Sequence, residues 1–173
     1  MKVVLVLFLA ITSLSAKGQD SIQLNPDSIT APSSSTKNER ELKADSIIAF
    51  AKTQLGTPYR YATSKPNESF DCSGFTSYVY GHFDITKCRT SRGYAEIGEF
   101  VDRKNAQVGD CILFVGTTKG SKTSGHVGIV VENGPEGIKF IHCSSGKKNG
   151  GVVISSLDSP WYAQRFHQVR RLF

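Results

Sequence analysis

The sequence has 173 residues, 39% hydrophobic and 21% charged, with 16 glycines and 10% aromatics. This excludes a wholly disordered, collagenous or coiled-coil chain, and the length suits one globular domain whose core needs neither disulfides nor metals as its main support. The formal charge is +6; setting aside Lys2 and Lys17 leaves 19 basic against 15 acidic residues, a modest excess that favours anionic surroundings without naming them.

In chain order, residues 1–18 read as a secretory signal peptide: a positive start at Lys2, an apolar run from Val3 to Ile11, and the small-x-small site Ala16-Lys17-Gly18. The run is too short to span a bilayer, no later stretch approaches the length of a transmembrane helix, and no cysteine precedes Cys72 to carry a lipid anchor. The expected location is therefore secreted or periplasmic. Residues 19–38 turn to Ser, Thr, Pro and Asn, a flexible linker, and residues 39–173 form the expected domain.

The spacing of Ile47, Ile48, Ala51 and Leu55 predicts a helix from Glu39 to Leu55, stopped by Gly56 and Pro58. Thr57 to Ser69 reads as a loop. Asp71 is placed to cap a second helix whose first turn holds Cys72, Ser73 and Gly74, and whose buried stripe is Phe75, Tyr78, Val79 and Phe83. A weaker helical stretch covers Ser91 to Phe100. Strand-like runs follow at Asp110 to Val115, Gly125 to Val131, Ile138 to Cys143 and Val152 to Ser155, and Arg165 to Arg171 reads as a closing strand with a charged face. Helices before sequential antiparallel strands make an α+β domain, with a small curled meander packed on the helices.

The chemistry gathers at Cys72. Amide N–H groups and the positive end of a helix dipole favour a thiolate, so a cysteine in a first helical turn beside a histidine can have its pKa lowered. The plain alternatives are a small buried hydrophobe or half of a disulfide. His126 and His142 share one sheet face in any hairpin register whose paired numbers sum to an even value; they are opposite for a sum of 268 and diagonal for 270. One imidazole can then orient the other, giving nucleophile, base and orienter, unless both are ordinary strand residues.

The strings Gly56-Thr57-Pro58-Tyr59-Arg60, Phe70-Asp71-Cys72-Ser73-Gly74-Phe75, Arg89-Thr90-Ser91, Gly109-Asp110, Gly125-His126-Val127-Gly128-Ile129 and Phe140-Ile141-His142 resemble the NlpC-type cell-wall peptidase family, over residues 44–173. The resemblance implies a papain-like cysteine endopeptidase of peptidoglycan stem peptides, cutting between D-Glu and a diamino acid through an acyl-enzyme. It makes Cys72 the nucleophile, His126 the general base and acid, His142 the orienting third member and Tyr59 an oxyanion neighbour. It also places Asp71, Ser73 and Ser91 against the stem peptide. Each of these has a structural rival: Asp71 and Ser73 as helix-start residues, Ser91 as the start of the next helix, Tyr59 as a core aromatic. The sequence departs from the family at Ala62-Thr63, where a Gly pair is usual, and at Cys88, where Pro is common.

No metal and no cofactor is expected, since the Cys and His residues lack C-x₂-C or H-x₃-H spacing. Cys88, Cys111 and Cys143 can form at most one bridge if Cys72 stays free, and the reading favours none. The expected partners are stem peptides, with no nucleic acid and no membrane span, for a chain acting as a monomer. Two further classes stay open: an acyltransferase or lipid hydrolase on the same scaffold, which calls for an apolar groove at Cys72, and a catalytically silent wall-binding module.

Overall fold

The computed structural model describes residues 34–118, 120–146 and 150–173, with side chains from residue 39 onward. The expected leader at 1–18 and the linker as far as residue 33 lie outside them. The helices are α1 (Ser34–Lys52), α2 (Cys72–His82), α3 (Ser91–Glu96) and the single turn α4 (Pro160–Ala163). A two-stranded ribbon, β1 (Ser64–Lys65) with β2 (Ser69–Phe70), precedes α2. The main sheet holds β3 (Glu99–Val101), β4 (Cys111–Val115), β5 (Ser124–Gly134), β6 (Gly137–Ser144), β7 (Gly151–Ser156) and β8 (Phe166–Arg171). Its order is β3-β8-β4-β5-β6-β7, antiparallel throughout.

Alternation along the central strands buries two faces. Cys111, Leu113, Val127, Ile129, Ile141 and Cys143 turn toward the helices, where Ile47, Ala51, Phe75 and Val79 complete the larger core. Ile112, Phe114, Val130 and Phe140 face the other way, into a second cluster with Leu157, Val169 and a half-buried Tyr162. This is the α+β arrangement expected. The α2 stripe is deeper than the periodicity suggests: Phe75 and Val79 are fully buried, but so is Tyr80, whose hydroxyl donates to the Gly109 carbonyl at 3.0 Å. Tyr78 and Phe83 instead pack on Phe50 of α1.

Three segments differ from expectation. The first helix begins at Ser34 and ends at Lys52, taking residues 34–38 from the linker. The third helix stops at Glu96, because Gly98 holds φ +69 and reverses the chain; Glu99 to Val101 then pair with β8. The basic C-terminal segment is a strand, but it is flanked on both sides, by β3 and β4.

The buried carboxylate of Asp110 ties these pieces together. Oδ1 accepts from Arg40 Nη2 of α1 at 2.7 Å and Arg171 Nε of β8 at 2.9 Å; Oδ2 accepts from Arg171 Nη2 and the Gln107 N–H, both at 2.8 Å. Removing both arginines strands a buried charge, which costs about 3–5 kcal/mol. The double variant Arg40→Met, Arg171→Met is expected to lose stability on that scale in urea unfolding, and an unchanged midpoint would contradict the clamp.

Candidate active site

The site begins with the start of α2. Asp71 has extended backbone and caps the helix, its Oδ1 accepting from the Gly74 N–H at 2.6 Å. The same oxygen accepts from Ser73 Oγ at 3.1 Å, and Arg89 closes a fork on the carboxylate, Nη1 to Oδ1 and Nη2 to Oδ2, each at 2.8 Å. Arg89 also donates to Ser73 Oγ at 2.8 Å and to the Thr63 carbonyl at 3.0 Å. A side chain at Gly74 would collide with that carbonyl and stand 2.9 Å from Arg89 Nη2, so only glycine lets the three approach. Burial opposes the Asp71 charge, but the bonds from Arg89 and Gly74 outweigh it and hold the carboxyl below its ordinary range. Arg89 entered the sequence reading only within a motif string; nothing in its spacing marks it as the partner of Asp71.

Cys72 is the first residue of α2 and is half-buried. Burial and the negative charge of Asp71 push its thiol up, against the N–H groups of Ser73, Val127 and Cys72 itself, which favour the thiolate. The net direction is opposite to that expected from the helix dipole alone. A cleft of about 690 Å³ opens over Cys72 and includes all the remaining candidates on this side: Tyr59, Asp71, Ser73 and Ser91. Tyr59 is half-buried, its hydroxyl pushed up by burial and then by the fields of Cys72 and Asp71. Ser91 donates to the Ser124 carbonyl at 3.3 Å, fastening the start of α3 to β5. Ala62, in place of the usual glycine, takes the left-handed conformation at φ +58, so the loop keeps a turn that glycine would adopt with less strain.

The two histidines meet as the parity argument requires. Ile129 pairs with Ile141 and Val130 with Phe140, the register whose numbers sum to 270, so His126 and His142 are diagonal neighbours. His126 Nε2 lies 2.9 Å from His142 Nδ1, with the rings perpendicular at 4.9 Å. On its other side His142 Nε2 lies 3.0 Å from Ser155 Oγ and 3.3 Å from the Tyr162 hydroxyl. When Ser155 Oγ accepts from Nε2–H of His142, Nδ1 of His142 is free to accept Nε2–H of His126. Neither Ser155 nor Tyr162 was legible as a site residue, since both are reached through the fold.

Cys72 and His126 come to the same end of β5 on different faces. Val127, whose N–H reaches the sulfur, is the next residue to His126, while the His126 ring packs toward Phe114 and Tyr162. A second cavity contains His126, and the two cavities meet at Gly116, Thr118 and Gly125. A Cβ on Gly125 would sit 2.5 Å from the Gly116 Cα, so glycine is required where they join. Among the described residues, Nδ1 of His126 makes no hydrogen bond, and none joins the ring to Cys72. The four cysteines are free, and no cluster of His, Cys, Asp and Glu suited to a metal occurs among the described residues. No helix there is long and apolar enough to cross a membrane.

A model of the NlpC/P60 family matches residues 56–171. The chain is 32% identical over 118 residues to a murein DD-endopeptidase and LD-carboxypeptidase, MepS, of Escherichia coli, covering 68% of this chain and 56% of that protein. It is 33% identical over 128 residues to a gamma-D-glutamyl-L-lysine dipeptidyl-peptidase of Bacillus cereus, covering 74% of this chain and 36% of the other. A crystal structure of an NlpC/P60 family protein from Bacillus cereus superimposes with a TM-score of 0.65 at 32% identity, over 75% of this chain and 40% of that one. The chain thus spans about half the length, or less, of these relatives.

The half-buried His126 and the buried His142 give a pH signature. Burial pushes His126 down to about 4, and burial with the neighbouring His126 charge pushes His142 well below its ordinary value. Unfolding lets both rings bind protons near pH 6.5. Their contribution to stability is therefore intact above pH 6.5 and is lost as the pH falls toward 4. Urea unfolding should show a loss of about 1–3 kcal/mol across that window, smaller in His142→Asn. Equal stability at pH 6.5 and 4.5 would contradict neutral, buried rings.

Proposed function

The chain belongs to the NlpC/P60 family, and from that membership we propose that it is an exported cysteine endopeptidase that hydrolyses peptidoglycan stem peptides between D-Glu and the diamino acid. The observation that carries this reading is the 2.9 Å contact of His126 with His142, together with a cysteine on a helix start whose sulfur is reached by the N–H of Val127, the residue after His126. The activity for which the Bacillus cereus relative is named supports the choice of bond. The murein-directed names of the relatives support action on the cell wall, and the leader read from the sequence supports export.

In this mechanism Cys72 starts as a thiol and His126 as a neutral imidazole, as their buried settings favour. His126 Nδ1 takes the thiol proton as the sulfur attacks the carbonyl carbon. The thiolate and imidazolium form together, so each charge offsets part of the other's desolvation. His142 Nδ1 holds Nε2–H of His126 and keeps the ring aimed through the transfer. The tetrahedral oxyanion takes hydrogen bonds from the Cys72 N–H and the Tyr59 hydroxyl. Imidazolium then protonates the departing amine, and water, deprotonated by the same ring, releases the acyl group. Asp71, Ser73 and Ser91 contact the stem peptide from the cleft wall. Arg89, Thr90, Thr118 and Ser124 make the rest of that wall polar too, which favours a peptide over the apolar acyl chain that a lipid hydrolase would bind.

The test is digestion of defined muropeptides under reducing conditions, with products identified by mass spectrometry. Wild type is expected to cut after D-Glu and Cys72→Ala to cut nothing; turnover by Cys72→Ala would contradict the mechanism, and cleavage only at D-Ala cross-links would move the assigned bond. On one muropeptide, His142→Asn and His142→Gln should keep kcat/KM about tenfold or more above His142→Ala, because they retain a carbonyl acceptor. Equal, wild-type-like rates for all three would make His142 an ordinary strand residue.

A further inference from the structure

The cavity that holds His126 is about 670 Å³, within the range of small-molecule sites, and its far wall is Trp161, Tyr162 and Arg165. Arg165 differs from the other half-buried arginines. Arg40, Arg89 and Arg171 each grip a carboxylate, and Arg170 donates to the Ile97 and Gly98 carbonyls. Arg60 and Arg92 are exposed to water. Arg165 has no ion pair among the described residues, and its Nε is buried without a hydrogen-bond partner. Its guanidinium carbon stands 3.8 Å from the centre of the Trp161 ring. That stacking fixes the plane of the group and leaves its edge donors free. A buried donor left unpaired is uncommon in folded proteins and marks a place for a ligand, ion or water.

The position in the site decides which part of a substrate reaches it. Cys72 and Asp71 line the first cavity, where the proposed mechanism seats the acyl half of the peptide. His126, which protonates the departing amine, lines the second, so the leaving half extends from His126 toward Arg165. We propose that Arg165, held flat by Trp161, binds a carboxylate on the leaving side of the scissile bond. This selects stem peptides whose leaving segment carries a free acid group. The inference rests on the endopeptidase reading above. Two groups supply the same chemistry: the side-chain carboxylate of a diaminopimelate-type residue, or the main-chain carboxylate at the peptide's C-terminus. A planar fork reads either one through two parallel N–H bonds.

Four synthetic peptides separate the sources: L-Ala-γ-D-Glu joined to L-Lys or meso-diaminopimelate, each with its C-terminus free or amidated. Wild type is expected to show kcat/KM roughly 10- to 100-fold higher on the peptide bearing the recognised carboxylate than on the amidated lysine peptide, the usual scale of a hydrogen bond to a charged group. Arg165→Gln should bring that ratio near one, and Arg165→Lys, which keeps the charge without the fork, should retain part of it. A preference that follows the diamino acid side chain assigns the first source, and one that follows the terminus assigns the second. A wild-type ratio near one, or a ratio that survives Arg165→Gln in a folded protein, overturns the proposal. Calorimetric binding of the same peptides to Cys72→Ala asks the question without turnover. A carboxylate preference there, with no hydrolysis by wild type, would keep the site and remove the endopeptidase reading; equal affinity for all four would remove the site.

Discussion

A single carboxylate organises the surroundings of Cys72. Asp71 receives the Gly74 N–H, the Ser73 hydroxyl and both arms of Arg89. With it in place, α2 starts at Cys72 and points the first-turn amides at the sulfur. Arg89 in turn brings the loop before α3 against the Thr63 carbonyl, so the turn at Ala62 and the approach to Ser91 are set by the same pair. The arrangement carries its own electrostatic penalty. Burial and then the negative charge of Asp71 raise the thiol's pKa, and the N–H groups of Ser73, Val127 and Cys72 offset this only in part. In the proposed mechanism the thiol therefore leans on a general base, with less help from a pre-formed thiolate, so the geometry of His126 matters as much as that of Cys72.

The histidine arm depends on sheet geometry. The hairpin closes at Gly134 and Gly137 in a register whose numbers sum to 271, and a bulge between Val130 and Glu132 shifts it to 270, which places His126 and His142 on one face as diagonal neighbours. Phe114, Phe140 and Tyr162 pack around the rings and keep them neutral. Gly116 and Gly125 lie where the cavity of Cys72 meets the cavity of His126. Two half-sites on either side of a glycine contact suit a reaction with two halves, acylation at the sulfur and departure of an amine beside the base.

Much of this was legible in the sequence because it rests on local periodicity. Asp71 as a cap and Cys72 in a first turn follow from spacing of a few residues, whereas the shared face of the histidines also needs the bulge between Val130 and Glu132, which no spacing announces. What was missed is non-local. Glu99 to Val101 looks like the end of a helix until Gly98 turns it onto β8, and β8 enters the sheet between β3 and β4, where Arg171 reaches Asp110. Arg89, Ser155 and Tyr162 gain their roles from partners 13 to 20 positions away in the chain. The direction of the Cys72 shift was also misjudged, since the helix dipole is visible in a sequence while burial beside an ionised Asp71 is not.

The most direct test of the organising role of Asp71 is a double-mutant cycle between Asp71→Asn and Arg89→Met, read in urea unfolding and in kcat/KM on one muropeptide. If the pair acts as a unit, the stability coupling should be about 1–3 kcal/mol, toward the lower end because Arg89 keeps some contact with water. Each single change should also lower kcat/KM nearly as far as the double does. Additive losses in both measurements would contradict the account, leaving Asp71 as a helix cap and Arg89 as an independent neighbour.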